Sequence, residues 1–230
     1  MSFFPMPSGA YGESFSLTRT SLGLTTWRGS RAMILMPEAD SRRWSFKESE
    51  VRLPIILNIN QVHGHDIVST INGIHTFDGS APVVKSDHVF EVKGVSGSGT
   101  EFWVGMRRAV ARMHRHNGAI EVLSRRDGLS FDVVSIAQER ADELWLASLS
   151  GRVVRLTFDA TQTLADANLV EFDQDSGLPK GKIKLETIAG KVRFCTACWF
   201  HGFRFGSILA ESGFAGFRDR FRAGIRENRH

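Results

Sequence analysis

A short pattern that recurs along the chain restricts its fold more than any other feature. Glu101-Phe102-Trp103-Val104-Gly105 and Glu143-Leu144-Trp145-Leu146-Ala147 each seat a tryptophan in an apolar run, and Phe102 and Leu144 stand 42 residues apart (144 minus 102). A period of roughly 40 to 50 residues is that of repeated sheet units. The clearest copy opens at Asp127-Gly128-Leu129 and continues through Val133 to Gln138. A polar break at Arg140-Ala141-Asp142 follows, then the Trp145 run, a second break at Leu149-Ser150-Gly151, and a last run from Arg152 to Phe158. That last run alternates Val153, Arg155 and Thr157 against Val154, Leu156 and Phe158, the period of two expected of a strand. Three β-rich runs joined by tight connections make a meander.

Further copies surround this one. Upstream, Lys85 to Lys93 precedes a Gly/Ser break at Ser96 to Gly99, the Trp103 run, and Val110-Ala111-Arg112-Met113 as a third strand. Asp66 to Thr70 and Ile74 to Phe77 flank Asn72-Gly73, a dipeptide that supplies the positive φ a two-residue hairpin requires. Downstream, Ser176-Gly177-Leu178-Pro179 echoes the Asp127 lead-in, and Ile183 to Ile188 and Lys191 to Phe194 give two more strands about Ala189-Gly190. A looser fifth copy lies in Ala32 to Met36 with Arg43 to Phe46.

The expected fold is therefore all-β: a β-propeller fragment of four to five antiparallel four-stranded blades. One blade leaves two apolar faces open, so blades must stack about an axis to bury them. Composition allows this. Hydrophobic residues are 42% of the chain, with 17 Phe and 5 Trp for a core, and 22 Gly punctuate the short runs. The two cysteines exclude a disulfide framework, so packing must carry the fold. Residues 1–52 read as a divergent or incomplete blade, 53–205 as propeller blades, and 206–230 as the start of a truncated further blade. The N-terminus Met1-Ser2-Phe3-Phe4-Pro5 lacks a basic and an apolar signal region, and no run approaches the roughly 20 apolar residues of a membrane span.

These residues resemble the two-component regulator propeller, the repeat of the sensor regions of bacterial hybrid histidine kinases. Its pattern is Asp-Gly-Leu-Pro, an Ile-Ala strand, a polar turn, an aliphatic-Trp-aliphatic strand and a glycine before a Val/Tyr-Arg-Phe/Leu strand. Asp127-Gly128-Leu129, Ser135-Ile136-Ala137, Leu144-Trp145-Leu146 and Gly151 to Leu156 match in order, and Phe102 to Gly105 and Ser176 to Pro179 match in part. Ser130 stands where proline is usual, and Arg107-Arg108-Ala109 replaces the glycine turn. The resemblance implies a non-catalytic, ligand-sensing module in the periplasm. It would bind an oligosaccharide or other small ligand and signal through membrane and kinase regions of a homodimeric parent, with no cofactor.

Several chemistry-bearing residues admit a plainer structural reading. Cys195-Thr196-Ala197-Cys198 with His201 has redox or metal spacing, but a structural zinc site needs four ligands, so strand or turn thiols are the better reading. His63 and His65 would share one side of an extended strand near His75, and His114 and His116 adjoin Arg112 and Arg115; turn, rim and surface positions are expected for them. Gly97-Ser98-Gly99-Thr100 leads into an apolar strand and reads as a hairpin turn rather than a phosphate loop. The 29 basic and 25 acidic residues leave a charge of only +4, and Asp219 and Glu227 interrupt the basic run Arg218, Arg220, Arg222, Arg226 and Arg229. Nucleic acid is not expected as a partner. No residue is singled out as catalytic, cofactor-binding or metal-binding, and no ligand-binding residue is named. The competing class is a propeller enzyme, a lyase or glycoside-processing site, with His and carboxylates of several blades on the central face.

Overall fold

Short apolar runs punctuated by turn residues fold here as successive antiparallel meanders. A computed structural model describes residues 18–38, 44–77, 82–117, 119–159, 162–178, 180–196 and 207–211. The chain divides into two units, residues 1–89 and 90–230.

In the first unit, β1 (Thr18–Thr20), β2 (Gly23–Arg28), β3 (Arg31–Pro37) and β4 (Trp44–Arg52) form sheet one; β5 (Ile56–Val62), β6 (His65–Thr70), β7 (Gly73–His75) and β8 (Val84–Lys85) form sheet two. Sheet three consists of β9 (Val89–Gly94), β10 (Glu101–Met106), β11 (Ala109–His116) and β12 (Ala119–Arg126), all but Val89 in the second unit. Sheet four follows as β13 (Ser135–Ala137), β14 (Glu143–Ala147), β15 (Val153–Thr157) and β16 (Asn168–Phe172), and sheet five as β17 (Ile183–Ile188), β18 (Lys191–Thr196) and β19 (Ser207–Glu211). In every sheet the strands pair in chain order, and a 3-10 turn at Leu164–Asp166 leads into β16. The all-β expectation of four to five blade-like sheets holds. The outer strands β12 and β16 complete sheets whose fourth member the sequence pattern leaves undrawn.

Tryptophan joins one sheet to the next. Trp103, 1% exposed on β10, lies in a core with Leu144, Leu146, Val154 and Leu156 of sheet four, and its ring meets Phe158 at 6.0 Å. Trp145, 2% exposed on β14, repeats the role toward Ile183, Leu185 and Val192 of sheet five, with Phe194 edge-on at 5.3 Å. Trp27 holds the same second-strand position in sheet one, packed with Ile56, Ile59 and Val68 of sheet two. The strand opposite each of the first two indoles adds an arginine: Arg112 pairs with Trp103 and Arg155 with Trp145, their guanidinium carbons 5.7 and 5.6 Å from the ring centroids.

Polar ties fix the stacking further. The Gln138 side-chain oxygen accepts from Ser96 N (2.9 Å) and Trp103 Nε1 (3.1 Å), while its backbone carbonyl accepts from Thr187 Oγ1 (3.0 Å). One residue thus links sheets three, four and five. Arg126 of β12 donates to the carbonyls of Leu164, Ala165 and Ala167 at 3.2, 3.2 and 2.8 Å, clasping the 3-10 turn beside sheet four. The turn without glycine at Arg107-Arg108 has its own reason: Arg108 takes φ 51°, its Nε donates to Leu129 O at 3.0 Å, and its carbonyl accepts from Leu129 N. The arginine anchors the Asp127-Gly128-Leu129 lead-in.

Two glycines are held by contact and conformation. A Cβ on Gly105 would lie 2.6 Å from Val133 O, so the backbone of sheet three and the backbone leading into sheet four approach closely there. Gly73 takes φ 128°, and the structure corrects the hairpin expected at Asn72-Gly73. Thr70 pairs with Gly73, so the two-residue loop is Ile71-Asn72, closed by the Thr70 hydroxyl, which donates to Gly73 O (3.0 Å) and accepts from Asn72 N (3.1 Å). Thr20 closes Ser21-Leu22 before Gly23 by the same pair of bonds.

Replacing Trp145 with alanine removes a buried indole from between two sheets and is expected to cost about 3–5 kcal/mol. Urea unfolding of the variant measures this, and an unchanged midpoint would remove the indole from the packing account.

Candidate functional site

The strand that opens each sheet of the second unit has alternating residues with different tasks. On β17, Ile183 and Leu185 are buried against sheet four, which by the period of two leaves Lys184 and Glu186 on the other face. On β9, Glu91 and Lys93 likewise alternate with buried Val92. Lys93 Nζ lies 3.3 Å from Glu186 Oε2, and Lys184 Nζ lies 2.8 Å from Glu186 Oε1. Glu186 therefore receives one lysine from its own strand and one from sheet three.

This contact has a geometric consequence. Sheets three and five are separated by sheet four, which packs on both, and parallel stacking at about 10 Å per interface would hold them about 20 Å apart. A lysine and a glutamate cannot bridge that gap. The first strands must converge, so the sheets are wedges narrowest at this edge. β13 permits it, being three residues long with small Ser135 and Ala137 at its ends. Ser135 Oγ accepts from Leu185 N at 3.0 Å, which draws β17 onto β13. The Lys93 and Glu186 side chains are 32% and 35% exposed, so the pair contributes at most about 1 kcal/mol and marks position more than it stabilises.

Glu91 is the electrostatic centre of the group. Burial pushes its carboxyl up to about 7; Glu186 raises it further, and Lys93, Lys184 and Lys182 act in the opposite sense. Burial also opposes ionisation of Glu186 and Lys184, but their mutual hydrogen bond, with the charge of Lys93 on Glu186, outweighs it. Glu186 is held below and Lys184 above the ordinary value. Across the β17–β18 pairing, Cys195 stands opposite Lys184 and Arg193 opposite Glu186. Burial raises the Cys195 thiol, Glu186 raises it further, and Lys184 acts against them. The arrangement offers three ammonium groups beside one ionised and one readily protonated carboxyl.

None of these five charged residues was singled out by sequence reasoning. The available signal was the alternation Glu91-Val92-Lys93 and Lys182-Ile183-Lys184-Leu185-Glu186 on two opening strands, polar positions that persist where both neighbours are core. The cysteine, histidine and arginine candidates of the sequence lie elsewhere. Cys195 is on β18, while Cys198, His201 and the arginines from 218 onward lie outside the described residues. The run through His63 is not extended: His63 and Gly64 take φ 50° and 77° in the turn between β5 and β6, and His65 opens β6, so the two do not share a strand face. His75 is buried at the end of β7. His114 and His116 end β11 with their rings stacked at 5.8 Å. Gly97 to Thr100 turns between β9 and β10, with Ser98 Oγ accepting from Thr100 N and Glu101 N, as the hairpin reading expects. Among the described residues no three His, Cys, Asp or Glu side chains gather as a metal would require, and no helix is long and apolar enough to cross a membrane.

No protein-family model and no curated protein matches the chain. Among solved structures it is similar to the WD40 β-propeller domain of Doa1, with a TM-score of 0.47 and 11% identity over 78% of this chain and 63% of that one. It is also similar to the extracellular domain of the putative one-component system BT4673 from B. thetaiotaomicron, with a TM-score of 0.48 and 12% identity over 81% of this chain and 27% of that one. The chain spans less than two thirds of either. The fold assignment rests on the sheets and their converging edges.

Glu91 sets a pH dependence. Folded, it keeps its proton up to about pH 7; its ordinary value is 4.5. The folded state binds more protons between these values, so this contribution is complete below the ordinary value and is lost as pH rises through about 7. Between about pH 5 and pH 8 the native protein should lose about 1–3 kcal/mol relative to Glu91→Gln, after discounting for solvent. Urea unfolding of both proteins across that range checks it, and parallel profiles would contradict the assignment.

Proposed function

We propose that this chain is a ligand-recognition module of β-propeller type, serving as the sensing part of a two-component regulator and working outside the cytoplasm. The observation that carries the reading is the convergence of charged opening-strand residues, Lys93 with Glu186, at the narrow edge of sheets three to five. Binding sites on repeated-sheet folds are built where several units present side chains to one place, so that a small ligand touches all of them. The blade grammar of residues 127–158 supports the sensor class, and a polar saccharide suits a rim of hydrogen-bonding ammonium and carboxyl groups. The chain itself recognises its ligand rather than transforming it; phosphotransfer belongs to a histidine kinase.

Thermal unfolding against a panel of neutral and acidic oligosaccharides tests this. A ligand at about 100 times its Kd adds about 2.7 kcal/mol, which raises the Tm of a protein this size by about 5–10 °C. One saccharide class should do so, be recovered intact by mass spectrometry, and lose its effect in the Lys93→Ala, Glu186→Ala double variant. No shift with any saccharide would overturn the sensing reading, and recovery of shortened or unsaturated products would favour a propeller enzyme.

A further inference from the structure

The composition of the cluster points to a narrower ligand class than a polar saccharide. Lys93 and Lys184 share the single ionised carboxylate of Glu186, and Lys182, immediately before β17, adds a third ammonium whose charge acts on Glu91. With Glu91 neutral, these groups sum to a charge of +2; with Glu91 ionised, to +1. Arg193, opposite Glu186 on β18, adds charge of the same sign, the Cys195 thiol opposite Lys184 adds none while protonated, and β13 (Ser135–Ala137) brings no titratable side chain. An excess of cations gathered by three elements at a half-buried edge favours an anion over a neutral ligand. A carboxyl group that can take up a proton in the same cluster allows that excess to grow when an anion arrives.

We infer that the Lys93, Lys182, Lys184 and Glu186 cluster takes the carboxylate of an acidic saccharide, and that Glu91 takes up a proton from solvent as it binds. The inference rests on the sensing reading above and specifies its ligand. Its physical logic is linkage. An incoming carboxylate disfavours ionised Glu91 and favours the protonated form, so by reciprocity a proton on Glu91 strengthens anion binding by the same factor. Burial has already brought Glu91 to about 7, within reach of a single nearby charge. The ligand's own carboxyl titrates below about pH 4 and is ionised throughout the range concerned. No bond is made or broken beyond the transfer of one proton from the acid form of the buffer, which is left as its conjugate base, to a Glu91 carboxyl oxygen.

The test is calorimetric titration of the whole chain with oligogalacturonate, its uncharged methyl ester, and acetate, at about pH 6 and about pH 8. Oligogalacturonate should bind about fivefold to tenfold more tightly at the lower pH, because most Glu91 is protonated there and most is ionised at the higher. The ester should bind far more weakly at both, and acetate should compete, which separates the anion from the sugar. Glu91→Gln should keep the low-pH affinity at both values and abolish proton uptake, read as a buffer-independent heat of binding. Equal binding of acid and ester would overturn the inference while leaving the sensing reading intact. A pH-independent affinity in the native chain, or an undiminished pH dependence in Glu91→Gln, would overturn the proton coupling. Absence of binding by both saccharides would overturn the inference and count against the sensing reading as well.

Discussion

An indole seated between consecutive sheets is the contact on which the rest of the structure depends. A four-stranded antiparallel sheet has two faces and no partner of its own, and in this chain its second strand supplies the residue that closes one face on the next sheet. Trp27, Trp103 and Trp145 do this at equivalent positions, and Arg112 and Arg155 cover two of the rings from the strand opposite. Aromatic burial is large per residue, so the anchors in sheets one, three and four supply much of the interface each makes with the next sheet. The polar ties, Gln138 above all, then select one register among the ways two apolar faces could meet.

Wedge packing turns a structural requirement into a chemical opportunity. Because the sheets narrow toward their opening strands, side chains from sheets three and five come within ion-pair distance although sheet four lies between them. Burial of Glu91 beside that ion pair moves its titration into the neutral range. A half-buried carboxyl among lysines is a poor stabiliser at neutral pH, because burial opposes its ionisation.

The sequence made the middle strands legible and the edges obscure. Phe102-Trp103-Val104 and Leu144-Trp145-Leu146 announce themselves because a fully buried strand tolerates only apolar residues at both faces. Ala119–Arg126 does not, since an outer strand carries Glu121, Ser124, Arg125 and Arg126 without strict alternation, and β13 is too short to show a period. Trp27 is less legible because it stands between Thr26 and Arg28 rather than between aliphatic neighbours. The hairpin at Thr70 to Gly73 slipped by one residue because threonine, through its hydroxyl, closed the loop that Asn-Gly was expected to form. The charged cluster was illegible for a different reason: Glu91 and Glu186 are far apart in sequence, and only the convergence of two sheets makes them neighbours.

That convergence is tested most directly by a distance. Spin labels at Lys93→Cys and Glu186→Cys, with Cys195 and Cys198 replaced by serine, report the separation of the opening strands of sheets three and five in solution. Wedge-shaped sheets predict strong dipolar broadening, corresponding to a separation below about 15–20 Å. A well-defined distance beyond about 25 Å, as parallel stacking at about 10 Å per interface would give once label length is added, would contradict the account.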